Sequence, residues 1–339
     1  MLFGPPMTDI PITIASGDYD RTRALKDGSV RIAGCTVTYS NVEPNQLFKR
    51  NLRAPEFDVS EMSFSTYIVQ REQGKGAYTA IPVFLSRAFR HSAIFVRSDR
   101  GIRTPADLKG KRVGTPEYFT TMLVWLRGLL SDEYEVKPAD LFWHLGGQEQ
   151  PAAVASETPA IPGIAIEPIP PGKTLSGMLA DGEIDALFAA RPPSCFHRSP
   201  NVARLFPDYR ATEQAYYRKS GIYPLMHAVG IRNSLIETYP RLPAAIYGAF
   251  LKAKELAIAD LERLAAFAIT LPWVEAEYRA TQAVLGPDIW PYGISENAKD
   301  ITTLCRYLHE QGFTKRMMNV DELFVPLPDN STASTSSAS

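Results

Sequence analysis

A two-lobed α/β protein with a helical C-terminal segment is the fold this sequence predicts. Strand-like and helix-like runs alternate through the first two thirds of the chain, which implies parallel sheets joined by crossover helices. After residue 231 the apolar pattern becomes helical. The length, 339 residues, exceeds what one core usually organises. The expected boundaries are 8–95 plus 226–328 for a discontinuous first lobe and 96–225 for the second. A Ser/Thr/Ala tail of low complexity, 329–339, is expected to be disordered.

Residues 10–15 read as a buried strand that breaks at Gly17, and the polar run Asp18-Tyr19-Asp20-Arg21-Thr22 then opens a helix. Thr36-Val37-Thr38-Tyr39 alternates polar and apolar, the period of a half-buried strand. Phe57-Asp58-Val59 is a short strand leading through Glu61-Met62-Ser63-Phe64-Ser65 into a helix, and residues 92–96 are another strand. Residues 104–110 form a short capped helix: Thr104 at the N-cap, Pro105 at N1, Asp107 at N3, Gly110 at the end. Arg112-Val113 is a strand, and Gly114-Thr115-Pro116 starts a helix carrying Met122, Leu126 and Leu129. Residues 150–172, rich in proline, read as a long loop around a strand at 164–169. A helix opened by Thr174 ends near Gly182, and strands follow at 184–189 and 226–231. Ile246, Phe250, Ala253, Ala257, Leu261 and Leu264 then share one helical face, which Pro272 is expected to end. A last helix, 297–311, buries Ile301, Leu304 and Leu308 and stops at Gly312.

A formal net charge of -1 leaves no basic excess for phosphates, which argues against nucleic acid or acidic membranes as partners. The three cysteines, Cys35, Cys195 and Cys305, are far apart and odd in number, so they read as thiols in a reducing compartment. No spacing among His91, His144, His197, His227 and His309 suits a metal, and no phosphate loop or nucleophile elbow is present. The start has no basic stretch and apolar run of a signal peptide, and nothing is apolar enough to span a bilayer, so a cytoplasmic location is expected.

Three strand-to-helix junctions, at 18–22, 63–66 and 115–121, place short polar side chains where unpaired N–H groups and the helix dipole favour an anion. Each is also readable as ordinary N-capping; all three in the first 121 residues point to a ligand site. Among arginines after strand-like segments, Arg87 reads as solvated, whereas Arg191, before the rigid Pro192-Pro193, suits a carboxylate. His227 starts a strand, and both a proton-transfer role and a hydrogen-bonded structural role remain open for it.

The run from Asp99 to Glu117, with Asp107-Leu108-Lys109-Gly110-Lys111-Arg112-Val113-Gly114, resembles the start of the second lobe in type 2 periplasmic binding proteins. That resemblance implies a clamshell with its ligand cleft between the lobes. Gly17-Asp18-Tyr19-Asp20-Arg21-Thr22, Glu56-Phe57-Asp58-Val59-Ser60-Glu61-Met62-Ser63, Pro82-Val83-Phe84, Gly114-Thr115-Pro116-Glu117-Tyr118 and Gly182-Glu183-Ile184-Asp185-Ala186-Leu187 together resemble the 4,5-dihydroxyphthalate decarboxylase family. The resemblance spans about residues 12–324, and the loop 150–162 departs from it in being rich in Ala, Ser and Pro. It implies cofactor-independent decarboxylation of a hydroxylated aromatic dicarboxylate, of the 4,5-dihydroxyphthalate to protocatechuate type. No metal is implied, the partner is a small aromatic carboxylate, and homo-oligomers are left open. Such a reaction needs clamps for the retained carboxylate, a base near a hydroxyl and an acid above the ring. Arg21, Ser63, Ser65, Arg90, Thr115, Thr120 and Arg191 are the expected clamps. His227 is the expected proton-transfer residue, with Asp20 or Glu117 as its carboxylate partner. The principal rival is a non-enzymatic solute-binding protein for an aromatic carboxylate, which would require export; a sensor and a pyrimidine-precursor synthase are further uses of the same fold.

Overall fold

The computed structural model describes residues 9–151 and 161–327. The expected tail at 329–339 and part of the proline-rich loop lie outside them. The chain divides into two compact units. Unit 1 comprises Met1–Ser86, Leu225–Thr302 and Met318–Ser339; unit 2 comprises Arg87–Pro224 and Thr303–Met317. The crossover therefore comes at Arg87, earlier than residue 95, and 303–317 cluster with unit 2 although sequence reasoning assigned them to the first lobe.

Unit 1 is built from β1 (Ile10–Ser16), α1 (Asp20–Lys26), β2 (Cys35–Asn41), α2 (Pro44–Arg53), β3 (Val59–Ser63), α3 (Phe64–Glu72) and β4 (Tyr78–Arg87), the last running into the unit boundary. In unit 2, β5 (Ile94–Arg97), β6 (Arg112–Thr115), α4 (Thr121–Tyr134), β7 (Phe142–Leu145), β8 (Ile166–Pro168), α5 (Leu175–Asp181), β9 (Ala186–Phe188), β10 (Val202–Arg204) and α6 (Tyr209–Ser220) follow. The chain returns to unit 1 through β11 (Leu225–Arg232), α7 (Asn233–Thr238), α8 (Leu242–Leu261) and α9 (Val274–Leu285). In α10 (Ala298–Glu310) it passes from unit 1 into unit 2.

The sheets are mixed, not purely parallel. Unit 1 holds five strands in the order β2-β1-β3-β11-β4, with β1 parallel to both β2 and β3 but β11 antiparallel to β3. Unit 2 holds six in the order β10-β5-β9-β6-β7-β8, where β5 runs antiparallel to both of its neighbours. In unit 1 the returning strand β11 breaks the parallel pattern. A chain that leaves a lobe and re-enters it needs no helical crossover between the two strands it pairs, so direction is free.

Alternation along β1, β3, β4 and β11 sends Ile12, Ile14, Val59, Ile81, Val83, Leu85, Val229 and Ile231 to one face, where they pack with Ile246, Phe250 and Ala253 of α8. The α8 helix ends at Leu261, short of the expected Pro272, and Leu264 is 61% exposed. Continuing the apolar stripe past the core had nothing to bury it against. The short helix at 104–110 is a single 3-10 turn, Pro105–Leu108, whose Thr104–Asp107 capping box is formed as the sequence implies. The helix expected from Gly114 begins only at Thr121.

Candidate active site

Parallel pairing of β1 with β3 places their carboxyl ends, Ser16 and Ser63, at one edge of the unit 1 sheet. The antiparallel β11 brings its beginning there too, with His227 directly opposite Ser63 and Val229 opposite Glu61. Side chains two apart on a strand share a face, so Glu61 and His227 become diagonal neighbours on the same face. They meet there: His227 Nδ1 lies 2.7 Å from Glu61 Oε1.

Glu61 is wholly buried (0% exposed) yet fully partnered. Its Oε2 accepts the Gly17 N–H at 2.8 Å, and its Oε1 also accepts the Tyr19 hydroxyl at 2.8 Å. Burial pushes the carboxyl up, but the hydrogen bond and charge of His227, the Gly17 N–H and the Tyr19 hydroxyl outweigh it and hold Glu61 below its ordinary range. An ionised carboxylate has no hydrogen to give, so the proton in the Glu61–His227 bond sits on Nδ1. That leaves Nε2 to take up or release a second proton. The ring is half-buried and meets Phe48 of α2 edge-on, centroids 4.8 Å apart.

The expected partner carboxylates are therefore corrected. Asp20 is exposed and accepts from its neighbour Arg21, by N–H at 2.7 Å and by guanidinium at 3.1 Å. Glu117 is an exposed residue of unit 2, where its carbonyl accepts the Thr115 hydroxyl at 3.2 Å. Neither is the group bonded to His227 Nδ1; Glu61 is. A carboxylate buried behind the strand end won over the exposed ones because the pleat, not the helix start, sets which residue faces His227.

The expected clamps are spread over both units. In unit 1, Arg21 is committed to the fold: its Nε donates to the Leu85 carbonyl at 2.9 Å, and its guanidinium lies 4.2 Å from the Tyr19 ring centre and 4.4 Å from that of Trp290. Ser63 is half-buried at the edge beside His227 and accepts the Thr66 hydroxyl at 3.1 Å, whereas Ser65 is fully buried. A cavity of about 320 Å³ opens beside this edge, lined by Phe48, Asn51, Met62, Ser63, Thr66 and Tyr78 among others. In unit 2, Thr120 does what the capping interpretation requires, accepting the Leu123 N–H at 3.2 Å as N-cap of α4. The Thr115 side chain is buried. Arg191 is exposed, and its carbonyl accepts from Gln148 at 3.1 Å. Arg90 is more unusual. Burial pushes its guanidinium down to about 10 against the opposing effects of Glu213 and Tyr223, and its Nε is buried without a hydrogen-bond partner.

Sequence reasoning thus missed Glu61, Tyr19, Gly17 and Phe48 as parts of the site. A signal existed for Glu61: a lone acid in the otherwise strand-like Val59-Ser60-Glu61-Met62-Ser63 is costly to bury without a partner. Phe48 had none, since α2 itself was not predicted. Among the described residues, no group of three or more His, Cys, Asp or Glu could hold a metal ion, and no helix is long and apolar enough to cross a membrane.

The chain also matches a relative along nearly the whole of its length. The chain is 41% identical over 322 residues, 94% of its own length and 98% of the relative's, to a 4,5-dihydroxyphthalate decarboxylase of Comamonas testosteroni. It belongs to the 4,5-dihydroxyphthalate decarboxylase family. A second family member, from Pseudomonas putida, is also 41% identical over 62% of this chain and 83% of its own. Residues 31–155 match the family model for the periplasmic substrate-binding protein of phosphonate ABC transporters. Among solved structures, a putative periplasmic sulfonate-binding protein from Methylobacillus flagellatus superimposes with a TM-score of 0.57, covering 94% of this chain and 92% of that one. The periplasmic aliphatic sulphonate binding protein of Escherichia coli gives 0.50, covering 94% and 97%. Both are 15% identical and show the fold alone: this decarboxylase-family chain has the periplasmic-binding-protein-like α/β fold.

Proposed function

We propose that this chain is a carboxy-lyase that converts 4,5-dihydroxyphthalate to the 3,4-dihydroxybenzoate product, with His227 handling the proton. The observation that carries the reaction is the 41% identity to a 4,5-dihydroxyphthalate decarboxylase over nearly the whole of both chains. The residue roles rest on the Glu61–His227 pair.

In the substrate each carboxylate has a hydroxyl para to it, so a phenolate can push electron density onto the ring carbon that bears the departing group. That carbon takes a proton, the C–C bond to CO2 breaks, and aromaticity returns; one C–C bond is replaced by one C–H bond. The proton comes from Nε2 of a protonated His227, whose positive charge the buried Glu61 carboxylate stabilises across Nδ1. Protonation between turnovers from solvent is open to it because the ring is only half-buried. Ser63, directly opposite His227 on the neighbouring strand, is the expected clamp that unit 1 places beside the proton-transfer residue. A cytoplasmic location is part of the same proposal, and cell fractionation tests it.

The deciding experiment incubates purified, chelator-treated protein with 4,5-dihydroxyphthalate and follows CO2 and the phenolic product. Turnover is expected. Saturable binding without turnover would favour the solute-binding interpretation, to which the sulfonate-binding folds lend the architecture. No binding would remove this substrate.

A further inference from the structure

We propose that Tyr19 is a positioning residue that sets the proton affinity and orientation of His227 through Glu61, and that Gly17 is the opening that lets its ring do so. The inference rests on the His227 assignment above for its catalytic consequence, but not for its physical test.

Glu61 Oε1 is shared. It receives His227 Nδ1–H at 2.7 Å and the Tyr19 hydroxyl at 2.8 Å, while Oε2 is taken by the Gly17 N–H at 2.8 Å. The two donors to Oε1 compete for the same electron density. A Tyr19 hydroxyl bond withdraws charge from the oxygen that stabilises the imidazolium, so Tyr19 holds the proton affinity of His227 down. The set is buried, with Tyr19 partly so and Glu61 wholly, so water does not replace the hydroxyl easily.

Gly17 enters twice. Its N–H fixes the second carboxylate oxygen, and its missing side chain makes room for the tyrosine. A Cβ at Gly17 would stand 2.7 Å from Tyr19 Cζ and 2.8 Å from its hydroxyl oxygen, closer than carbon tolerates. The need here is space, since Gly17 is not among the glycines with positive φ.

The other charged and titratable groups around the set are Arg21 of α1, Tyr39 of β2 and Asp18 just before α1. Arg21 of α1 lies 4.2 Å from the Tyr19 ring centre and 4.4 Å from that of Trp290. Tyr39 of β2 bonds Ser16 Oγ at 2.7 Å. Asp18, before α1, is drawn to Asn41 Nδ2 at 2.7 Å and Lys26 at 3.7 Å. Burial, then the charge of Glu61, pushes the Tyr19 phenol upward, so it stays a donor throughout the working pH range.

The test is Tyr19→Phe in the full chain, read by NMR titration of the His227 imidazole and by the pH profile of kcat. The imidazole is expected to titrate about half to one unit higher than in the unaltered protein, and the His227-dependent limb of kcat to move the same way, with KM changed less than about threefold. Gly17→Ala, which displaces the ring, should reproduce the shift; the Phe variant keeps the ring and so guards against a mere folding defect. An imidazole that titrates within about 0.2 units of the original in Tyr19→Phe overturns the proposal, whatever happens to rate. If the imidazole shifts but no limb of kcat follows, the Tyr19 coupling stands and it is the catalytic assignment of His227 that falls.

Discussion

Glu61 in unit 1 and Arg127 in unit 2 are both buried ionisable side chains, 0% and 1% exposed, but they are held in different ways. Glu61 has three donors on its two oxygens, one of them an ionisable imidazole at 2.7 Å. Arg127 has neutral partners: its Nε donates to Gln311 at 2.8 Å and one Nη to the Tyr118 carbonyl at 2.8 Å, while its guanidinium lies 4.1 Å from the Tyr118 ring centre. Its remaining Nη has no hydrogen-bond partner. Burial accordingly pushes Arg127 down to about 10, whereas the partners of Glu61 reverse the effect of burial. A buried charge that faces a second titratable group can move a proton. One held by carbonyls and rings ties segments together, here the turn before α4 to the end of α10.

The contrast can be broken most sharply at His227. His227→Asn should lower kcat by about a thousandfold with substrate affinity changed less than about threefold, and Glu61→Gln, which keeps an acceptor but removes the charge, by about a hundredfold. Steady-state CO2 release with parallel calorimetric binding checks both; loss of affinity in step with rate would make His227 a clamp.

Arg127→Ala should instead cost about 3 kcal/mol of stability, seen by denaturant unfolding, because it empties packed space and strands the Tyr118 carbonyl and Gln311. Arg127→Met, which keeps much of the volume, should recover part of that loss. A stability loss under about 1 kcal/mol for the alanine variant would show that the site collapses without it.

His91 sharpens the comparison by pH. It is fully buried against Phe206 and Tyr216, neither ring nitrogen has a hydrogen-bond partner, and burial pushes it down to about 4. The unfolded chain takes up this proton near 6.5 and the folded one only near 4, so stability is present above pH 6.5 and is lost as pH falls between the two. Glu213, 3.9 Å away, opposes this, because burial pushes its carboxyl up and it gains its proton more readily when folded. The net loss attributable to His91 should be about 2 kcal/mol. His91→Phe should flatten thermal stability between pH 6.5 and 4 relative to the unaltered protein; an unchanged slope would assign the loss elsewhere. Smallest of all, Thr120→Ala should cost about 1 kcal/mol as the α4 cap is lost, with little change in KM. A KM rise of more than about tenfold would restore Thr120 as a ligand contact.

Much of the frame was legible because local chemistry and the core agree. The Thr104–Asp107 capping box, the Thr174 cap with Gly182 in the left-handed region at φ 75°, and the buried stripe Ile301, Leu304 and Leu308 all depend on residues within a turn or two of one another. The Glu61 partnership was not legible in that way. Its donors come from residues 17, 19 and 227, and two of the clamps expected from cap-like positions, Thr120 and Ser65, proved to be a cap and a buried side chain.

The sequence by itself determined the α/β class, most strands and caps, and His227 as a strand-start histidine, because period and capping are local properties. Only the tertiary structure decided that β11 runs antiparallel to β3, and with it that Glu61 rather than Asp20 or Glu117 stands against His227. Register is fixed by how two distant strands align their buried faces, and a shift of one residue would turn Glu61 to the other side of the sheet.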